Sequence, residues 1–354
     1  MAVDRKREYG QYFTTDSTWL KPHISSHIQY LSKKYTTCFD PFAGDGHLLK
    51  IAIKFDLNII GCDIDSDICV NNKWNQNDSI RNLNSHKDTF ILTNPPYLAK
   101  NSAKRLGSEM VSYFSRDVLN NQSDSEYKIL DDLFKIAITK GIESYEDSIW
   151  IVPESGIQDL EKLPQWKNNL HSVTILEKNP FGDTEHPVCV MIFSRSNPKQ
   201  EVWKNDVKLG HWTGLYEMHQ KFTQNVAKHL PMNFNDKFGN LGFRAVDGTR
   251  EDGSMKIRFC LADDLGYPRE SIKISSRHLT YISVDLIDQE LSNVISIANQ
   301  LIDDYRAMTH DVFLTAFMGN NKQGARRRRL DYKLARVMFN KAYQEMEKQK
   351  TNQS

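Results

Sequence analysis

Long apolar runs are missing from this 354-residue chain, and no stretch approaches the roughly 20 residues that a membrane-spanning helix requires. Cysteine is sparse. The five present (Cys38, Cys62, Cys69, Cys189 and Cys260) show no paired metal-ligand spacing, and three sit on or beside expected core strands. That argues against a disulfide framework and against a zinc site. The eleven histidines are scattered, with no ligand pair on one helix face, so no metal is expected. No apolar segment follows the opening Met-Ala-Val-Asp-Arg-Lys-Arg, and a soluble cytoplasmic monomer with no membrane contact is the expectation. An excess of one charge is missing too: 46 basic residues stand against 45 acidic ones, for a net +1.

What is present is concentrated in two short stretches. Asn94-Pro95-Pro96-Tyr97 follows the apolar run Thr89–Thr93 and joins amide acceptors to an aromatic ring. An exocyclic amine on a heteroaromatic ring shares its lone pair with that ring, so it attacks poorly until its N–H groups are polarised. The Asn94 side-chain oxygen supplies one acceptor. The carbonyl of Pro95, stiffened by two fixed φ angles, supplies the other, and Tyr97 offers a plate on which a base can stack. Such stacking is worth about 1–3 kcal/mol per base. The motif therefore suggests methylation of a planar nitrogen, although a strand running into a proline-fixed turn reads the same way.

Upstream, the short β-run Thr36–Phe39 leads into Asp40-Pro41-Phe42-Ala43-Gly44-Asp45-Gly46 and then into a helical pattern from His47. Strand, glycine turn and helix make a nucleotide-type cradle, in which glycines let backbone approach a ligand. Leu49 stands where a dinucleotide fingerprint needs its third glycine, which argues against NAD. The next strand, Leu57–Cys62, ends at Asp63, where a carboxylate can accept both ribose hydroxyls, with Ile64 beside it. Asp63 could instead cap the following helix, a role that Asp65 and Ser66 fill as well.

These two motifs, in this order and with Gly10-Gln11-Tyr12-Phe13-Thr14-Thr15 ahead of them, resemble S-adenosylmethionine-dependent DNA adenine-N6 methyltransferases of the gamma motif order. The resemblance covers roughly residues 9–195. It implies a Rossmann-like class I methyltransferase fold with a mixed, mostly parallel seven-stranded sheet over residues 1–198, followed by an α+β target recognition domain over 199–354. It also implies S-adenosylmethionine as cofactor, held by Tyr12, Phe13, Thr14, Asp40, Pro41, Gly44, Gly46, Asp63, Ile64, Asp78, Ser79 and Asn94. Asp78 matches the acidic residue that bonds the cofactor's adenine amine. In the implied catalytic set, Asn94, Pro95 and Tyr97 are joined by Phe181, which matches the aromatic packing on the other face of the target base. The implied partner is double-stranded DNA, and a cognate restriction endonuclease is the functional partner in a restriction–modification system. Similar chemistry would serve an rRNA adenine or protein-glutamine methyltransferase, and cytosine N4 is an equally planar amine. A non-catalytic nucleic-acid-binding relative is the alternative from another class.

Elsewhere the pattern is plainer. Ala99–Ser125 is a long polar segment, read as a lid or a surface loop. Tyr127–Ile142 has helical spacing and an apolar face. Ser148–Val152, Val173–Leu176 and Val188–Phe193 read as strands, the last two as an antiparallel pair closing the sheet. Charge is unevenly placed: from Lys322 to Ser354 ten basic residues stand against three acidic ones, so the remaining 321 residues sum to −6. Arg326, Arg327, Arg328 and Arg329 precede a helical pattern and resemble a phosphate clamp, though a basic run is also an ordinary solvated face. Residues 242–259 read as a hairpin whose Arg244, Lys256 and Arg258 could enter a groove. Val284–Leu314 reads as a helix that packs the second domain.

Overall fold

The computed structural model describes residues 14, 17–119, 122–181, 186–224, 229–249 and 255–351. It divides into two compact units, residues 1–211 and 212–354. The division falls beyond the expected boundary at 198, because residues 201–204 and 207–211 pair into the first unit's sheet.

Among the described residues, that sheet has nine strands in the order β3-β2-β1-β4-β5-β7-β6-β8-β9. They are β1 (Thr37–Asp40), β2 (Asn58–Asp63), β3 (Asn75–Gln76), β4 (Thr89–Thr93), β5 (Asp147–Pro153), β6 (Leu170–Ile175), β7 (Val188–Ser194), β8 (Glu201–Lys204) and β9 (Val207–His211). Strands β3, β2, β1, β4 and β5 run parallel, β7 is antiparallel to both its neighbours, and β8 pairs parallel with β6. The architecture is the expected mixed, mostly parallel α/β sheet. The count exceeds the expected seven because the β8–β9 hairpin extends it past the β6–β7 pair, which does not close the sheet. Central strands β4 and β5 are buried along their whole length, which is why they appear in the sequence as unbroken apolar runs rather than alternations.

The strand order reverses between β1 and β4, and in open α/β sheets a crevice forms outside the carboxyl ends at such a point. Both diagnostic motifs leave the sheet there: Asp40 ends β1, and Asn94 follows the last residue of β4.

The polar segment 99–125 is not a structureless loop. It carries a helix at Lys100–Leu106 and a 3-10 turn at Glu109–Phe114. The helix expected over 127–142 is two, Asp124–Ile129 and Leu133–Ser144, split by Leu130–Asp132. Only the second buries an apolar face, with Leu133, Phe134, Ile136, Ala137 and Ile138 in the core.

The second unit is α+β. Strands β10 (Asn233–Phe234), β11 (Leu241–Arg244), β12 (Arg258–Leu261) and β13 (Leu279–Ser283) form an antiparallel sheet in the order β10-β13-β11-β12. A separate pair joins β14 (Thr315–Asn320) to β15 (Arg326–Arg329). The helix Asp288–Thr309 packs the unit as expected, placing Leu291, Val294, Ala298 and Ile302 in one core with Phe243, Phe259, Met338 and Phe339.

Candidate active site

A cleft of about 810 Å³, counted to its open mouth, lies over the carboxyl ends of β1, β2 and β4. Its floor is the glycine turn. Gly44 (φ +48°) and Gly46 (φ +71°) both adopt left-handed backbone, which a side chain disfavours. The turn is held from two sides. The Gly44 amide donates to Asp63 Oδ2 at 3.0 Å, and the Trp74 indole N–H donates to the Gly44 carbonyl at 2.9 Å. A methyl group on Gly46 would sit 2.7 Å from the Trp74 ring, and one on Gly61 would sit 2.6 Å from it. Trp74 is thus the brace behind the turn, a role that nothing in its local sequence announces.

Four carboxylates line this cleft: the exposed Asp45, and Asp40, Asp63 and Asp78, which are held by hydrogen bonds. Asp40, only 2% exposed, accepts from Thr93 Oγ1 and from the Phe42 amide at 3.0 Å. Burial pushes its carboxyl up to about 7, against those two bonds, which favour the charged form. Asp63 is also buried, its second oxygen accepting from the Asp65 amide at 2.9 Å; burial again raises its pKa. Asp78 accepts from the Tyr113 hydroxyl at 2.7 Å and lies 3.4 Å from the Arg81 guanidinium, which in turn stacks on Tyr113. Among the described residues, no lysine or arginine lines the cleft. The cleft therefore suits a ligand carrying positive charge and hydroxyls, and disfavours a pyrophosphate, which needs cationic or amide donors.

Of the residues expected here, Thr14, Asp40, Gly44, Asp63, Ile64, Asp78, Ser79, Asn94 and Pro95 line the cleft. Pro41, Gly46, Tyr97 and Phe181 do not, and Tyr12 and Phe13 lie outside the described residues. Gly46 instead gives its open side to Trp74. Phe42, Met110 and Tyr113 line it without having been expected. Met110 and Tyr113 come from the 3-10 turn in the polar segment, where Met110, Val111, Tyr113 and Phe114 cluster as apolar residues.

Asn94 lines the same cleft, together with Pro95 and Pro96. The Tyr97 hydroxyl lies 2.5 Å from Asn94 Oδ1 and 2.7 Å from the Ile151 carbonyl. Tyr97 is buried, edge-on to Phe134 and to Phe181, whose ring centroid is 6.1 Å away at 61°. A base held between two rings would need them nearly parallel and about 7 Å apart, twice a carbon–carbon contact. In this arrangement Tyr97 and Phe181 therefore form no slot for a base, and Tyr97 anchors Asn94 rather than presenting a free face. The Phe181 backbone also forms an antiparallel bridge with Thr14.

The arginine run requires a larger correction. Residues 326–329 are strand β15, not the start of a helix, so their side chains alternate. Arg326 and Arg328 are 6% and 1% exposed and cannot meet a phosphate backbone without leaving the interior. Arg327 bonds the Asp247 carbonyl through Nε and stacks on Phe317. Arg244 and Arg258 face each other across β11 and β12, where Arg258 is paired with Asp303 at 3.1 Å; Lys256 is exposed.

Among the described residues, no group of three or more histidine, cysteine or acidic side chains is placed to hold a metal, and no helix is long and apolar enough to cross a membrane. No family model and no curated protein matches the chain. Solved structures do resemble it. One is a type I restriction–modification methyltransferase subunit from Streptococcus thermophilus, at 15% identity and TM-score 0.38, covering 57% of this chain and 49% of that one. A TehB-like S-adenosylmethionine-dependent methyltransferase from Corynebacterium glutamicum matches at 12% and 0.29, covering 47% and 86%. A candidate RNA methyltransferase from Pyrococcus horikoshii matches at 14% and 0.30, covering 55% and 97%. The chain thus spans about half the length of the first of these. What the cleft can hold follows from its own residues.

Proposed function

We propose that this chain is an S-adenosylmethionine-dependent methyltransferase acting on the N6 amine of adenine in double-stranded DNA, as the modification half of a restriction–modification system. The observation that carries the reading is that two motifs share one cleft: it is lined by Asp40, Asp63 and Asp78, with no lysine or arginine among its described residues, and also by Asn94, Pro95 and Pro96. S-adenosylmethionine, a sulfonium with a ribose diol and an adenine, matches that cleft in charge and hydroxyl count, and when bound it supplies an electrophilic methyl group.

The chain's own residues then divide the work. Asp63 accepts from ribose hydroxyls, which its two backbone-held oxygens can do with their remaining lone pairs. Asp78, steadied by Tyr113, faces the adenine, with Ile64 as an exposed apolar neighbour. Asp40 lies where positive charge favours its ionised form. Asn94 Oδ1 and the Pro95 carbonyl accept from the target amine, so the nitrogen lone pair is released from the ring as the N–C bond forms and the C–S bond breaks. The surplus proton leaves the nitrogen for water, and no covalent enzyme intermediate arises.

The test is transfer of labelled methyl to unmethylated plasmid DNA, ribosomal RNA or a translation-factor mixture, with the wild type and Asn94→Ala. DNA is expected to carry label on adenine N6, and Asn94→Ala to lose turnover by at least ~10²-fold while cofactor affinity holds within about twofold. Label confined to RNA or protein would refute the substrate, and a fully active Asn94→Ala would refute the site.

A further inference from the structure

Two loops of the second unit expose apolar side chains that its core leaves unused. Phe238, between β10 and β11, is 82% exposed, and Ile274, ahead of β13, is 98% exposed. The loops are neighbours held in fixed relation. Asn235 Nδ2 donates to the carbonyls of Ile274 (2.8 Å) and Ser276 (3.2 Å), while Arg269 Nη1 donates to the carbonyls of Lys237 and Gly239, both at 2.9 Å. The Phe238 amide donates to Asp236 Oδ1, and the Tyr332 hydroxyl donates to the Ser276 carbonyl. Both tips therefore stand on hydrogen-bonded turns.

Positive charge rings these tips. Lys237 Nζ lies 5.0 Å from the Phe238 ring centroid, and Lys273 and Arg277 are exposed on the second loop. The rim continues into β15 through shared neighbours. His278 is lowered in pKa by burial and then by the charges of Arg329 and Arg327, and Arg277 and Arg329 both act on the Tyr332 phenol. The carboxylates close by are Asp236, engaged by Ser283 Oγ at 2.6 Å, Asp263, 3.5 Å from Arg269, and the exposed Glu270. The alternation of β15, which removes Arg326 and Arg328 from the surface, leaves Arg327 and Arg329 on this side.

We propose that Phe238 and Ile274 form the apolar tip, and Lys237, Lys273, Arg277, Arg327 and Arg329 the phosphate-binding rim, of a duplex-DNA docking surface in which the tip enters a base step. The proposal rests on the reading of the first unit as a DNA methyltransferase, which makes duplex DNA the partner, and apolar wedges flanked by cations are a recurrent way of entering a base step. Charge complementarity selects this occupant. A protein interface would bury a broader apolar patch and exclude lysine from its centre, whereas here two side chains stand alone among cations. The rim holds the phosphates without reading sequence.

The test uses the full chain with a labelled mixed-sequence DNA duplex, followed by anisotropy over a salt series, and with a duplex carrying 2-aminopurine. Phe238→Ala combined with Ile274→Ala is expected to weaken binding about tenfold at every salt concentration and to abolish the 2-aminopurine rise, because stacking rather than charge is lost. Phe238→Trp should preserve both signals. Lys273→Ala and Arg277→Ala should each reduce the slope of log affinity against log salt by about one. All five residues outside β15 are on loops, and an unchanged thermal midpoint confirms that each variant is folded. A double alanine variant that binds within twofold of wild type and keeps the 2-aminopurine signal overturns the surface, as does one that changes oligomeric state but not DNA binding. If wild type still methylates DNA in that case, the docking surface alone is wrong. If wild type binds no DNA duplex and labels RNA or protein, both readings fall.

Discussion

Trp74 should set the cost of any side chain added to the glycine turn, and two glycines that share this neighbour separate the physical causes. An alanine methyl at Gly61 would lie 2.6 Å from Trp74 Cδ2 and Cε3, inside contact distance of a ring braced by its own bond to the Gly44 carbonyl. Overpacking of this kind costs about 1–3 kcal/mol. Gly46→Ala meets the same ring at 2.7 Å and also imposes φ +71° on a residue with a Cβ, adding about 1 kcal/mol or more. Gly46→Ala should therefore destabilise the first unit by about 2–4 kcal/mol, and Gly61→Ala by about 1 kcal/mol less. In a Trp74→Leu background the steric part vanishes: Gly61→Ala should become nearly neutral, while Gly46→Ala keeps a penalty of about 1 kcal/mol. Urea unfolding followed by circular dichroism, completed as two double-mutant cycles, measures both couplings. Equal losses for the two alanines, fully recovered in Trp74→Leu, would refute the backbone contribution. No recovery for either would refute Trp74 as the obstacle.

Asp40 gives a pH dependence with opposite signs for stability and binding. Its folded-state pKa of about 7 lies above the unfolded value, so its contribution to stability is complete below the ordinary carboxylate range and is lost as pH rises through about 7. Ionised Asp40 attracts a cation, so S-adenosylmethionine should bind more tightly over the same rise. Thermal shift with and without the cofactor across this range checks both, and Asp40→Asn should flatten the two profiles; parallel movement of stability and affinity would contradict the assignment. In the second unit, Arg328→Ala should destabilise by about 2–3 kcal/mol through lost packing, while Arg327→Ala should cost under about 1 kcal/mol. Equal losses in thermal melts would contradict the alternation of β15.

The parallel strands were legible because burial on both faces writes an uninterrupted apolar run, and the motifs marked where they end. The β8–β9 hairpin was not, since Glu201, Lys204 and Lys208 interrupt its pattern and its edge position tolerates them. Nor was β15, because four arginines carry no alternation of polarity; it is the Asp247 carboxylate and the pairing with β14 that make them a strand. Asp63 could be placed from its spacing after the glycine turn, Asn94 from the chemistry of its motif, and Asp40 from the resemblance that the glycine turn carries. Trp74, Met110 and Tyr113 could not, because Trp74 supports the glycine turn from behind and the other two reach the cleft from the 3-10 turn at Glu109–Phe114, and such approach leaves no mark in local sequence.

The Tyr97 hydroxyl carries one hydrogen but touches two oxygens, so it can satisfy only one of them at a time. An incoming N–H that takes Asn94 Oδ1 releases that hydrogen to the Ile151 carbonyl on β5, and neither acceptor is stranded by the exchange. On the proposed reading, an arriving amine would displace an internal partner rather than solvent, and one phenol would serve as placeholder before the reaction and as tether during it.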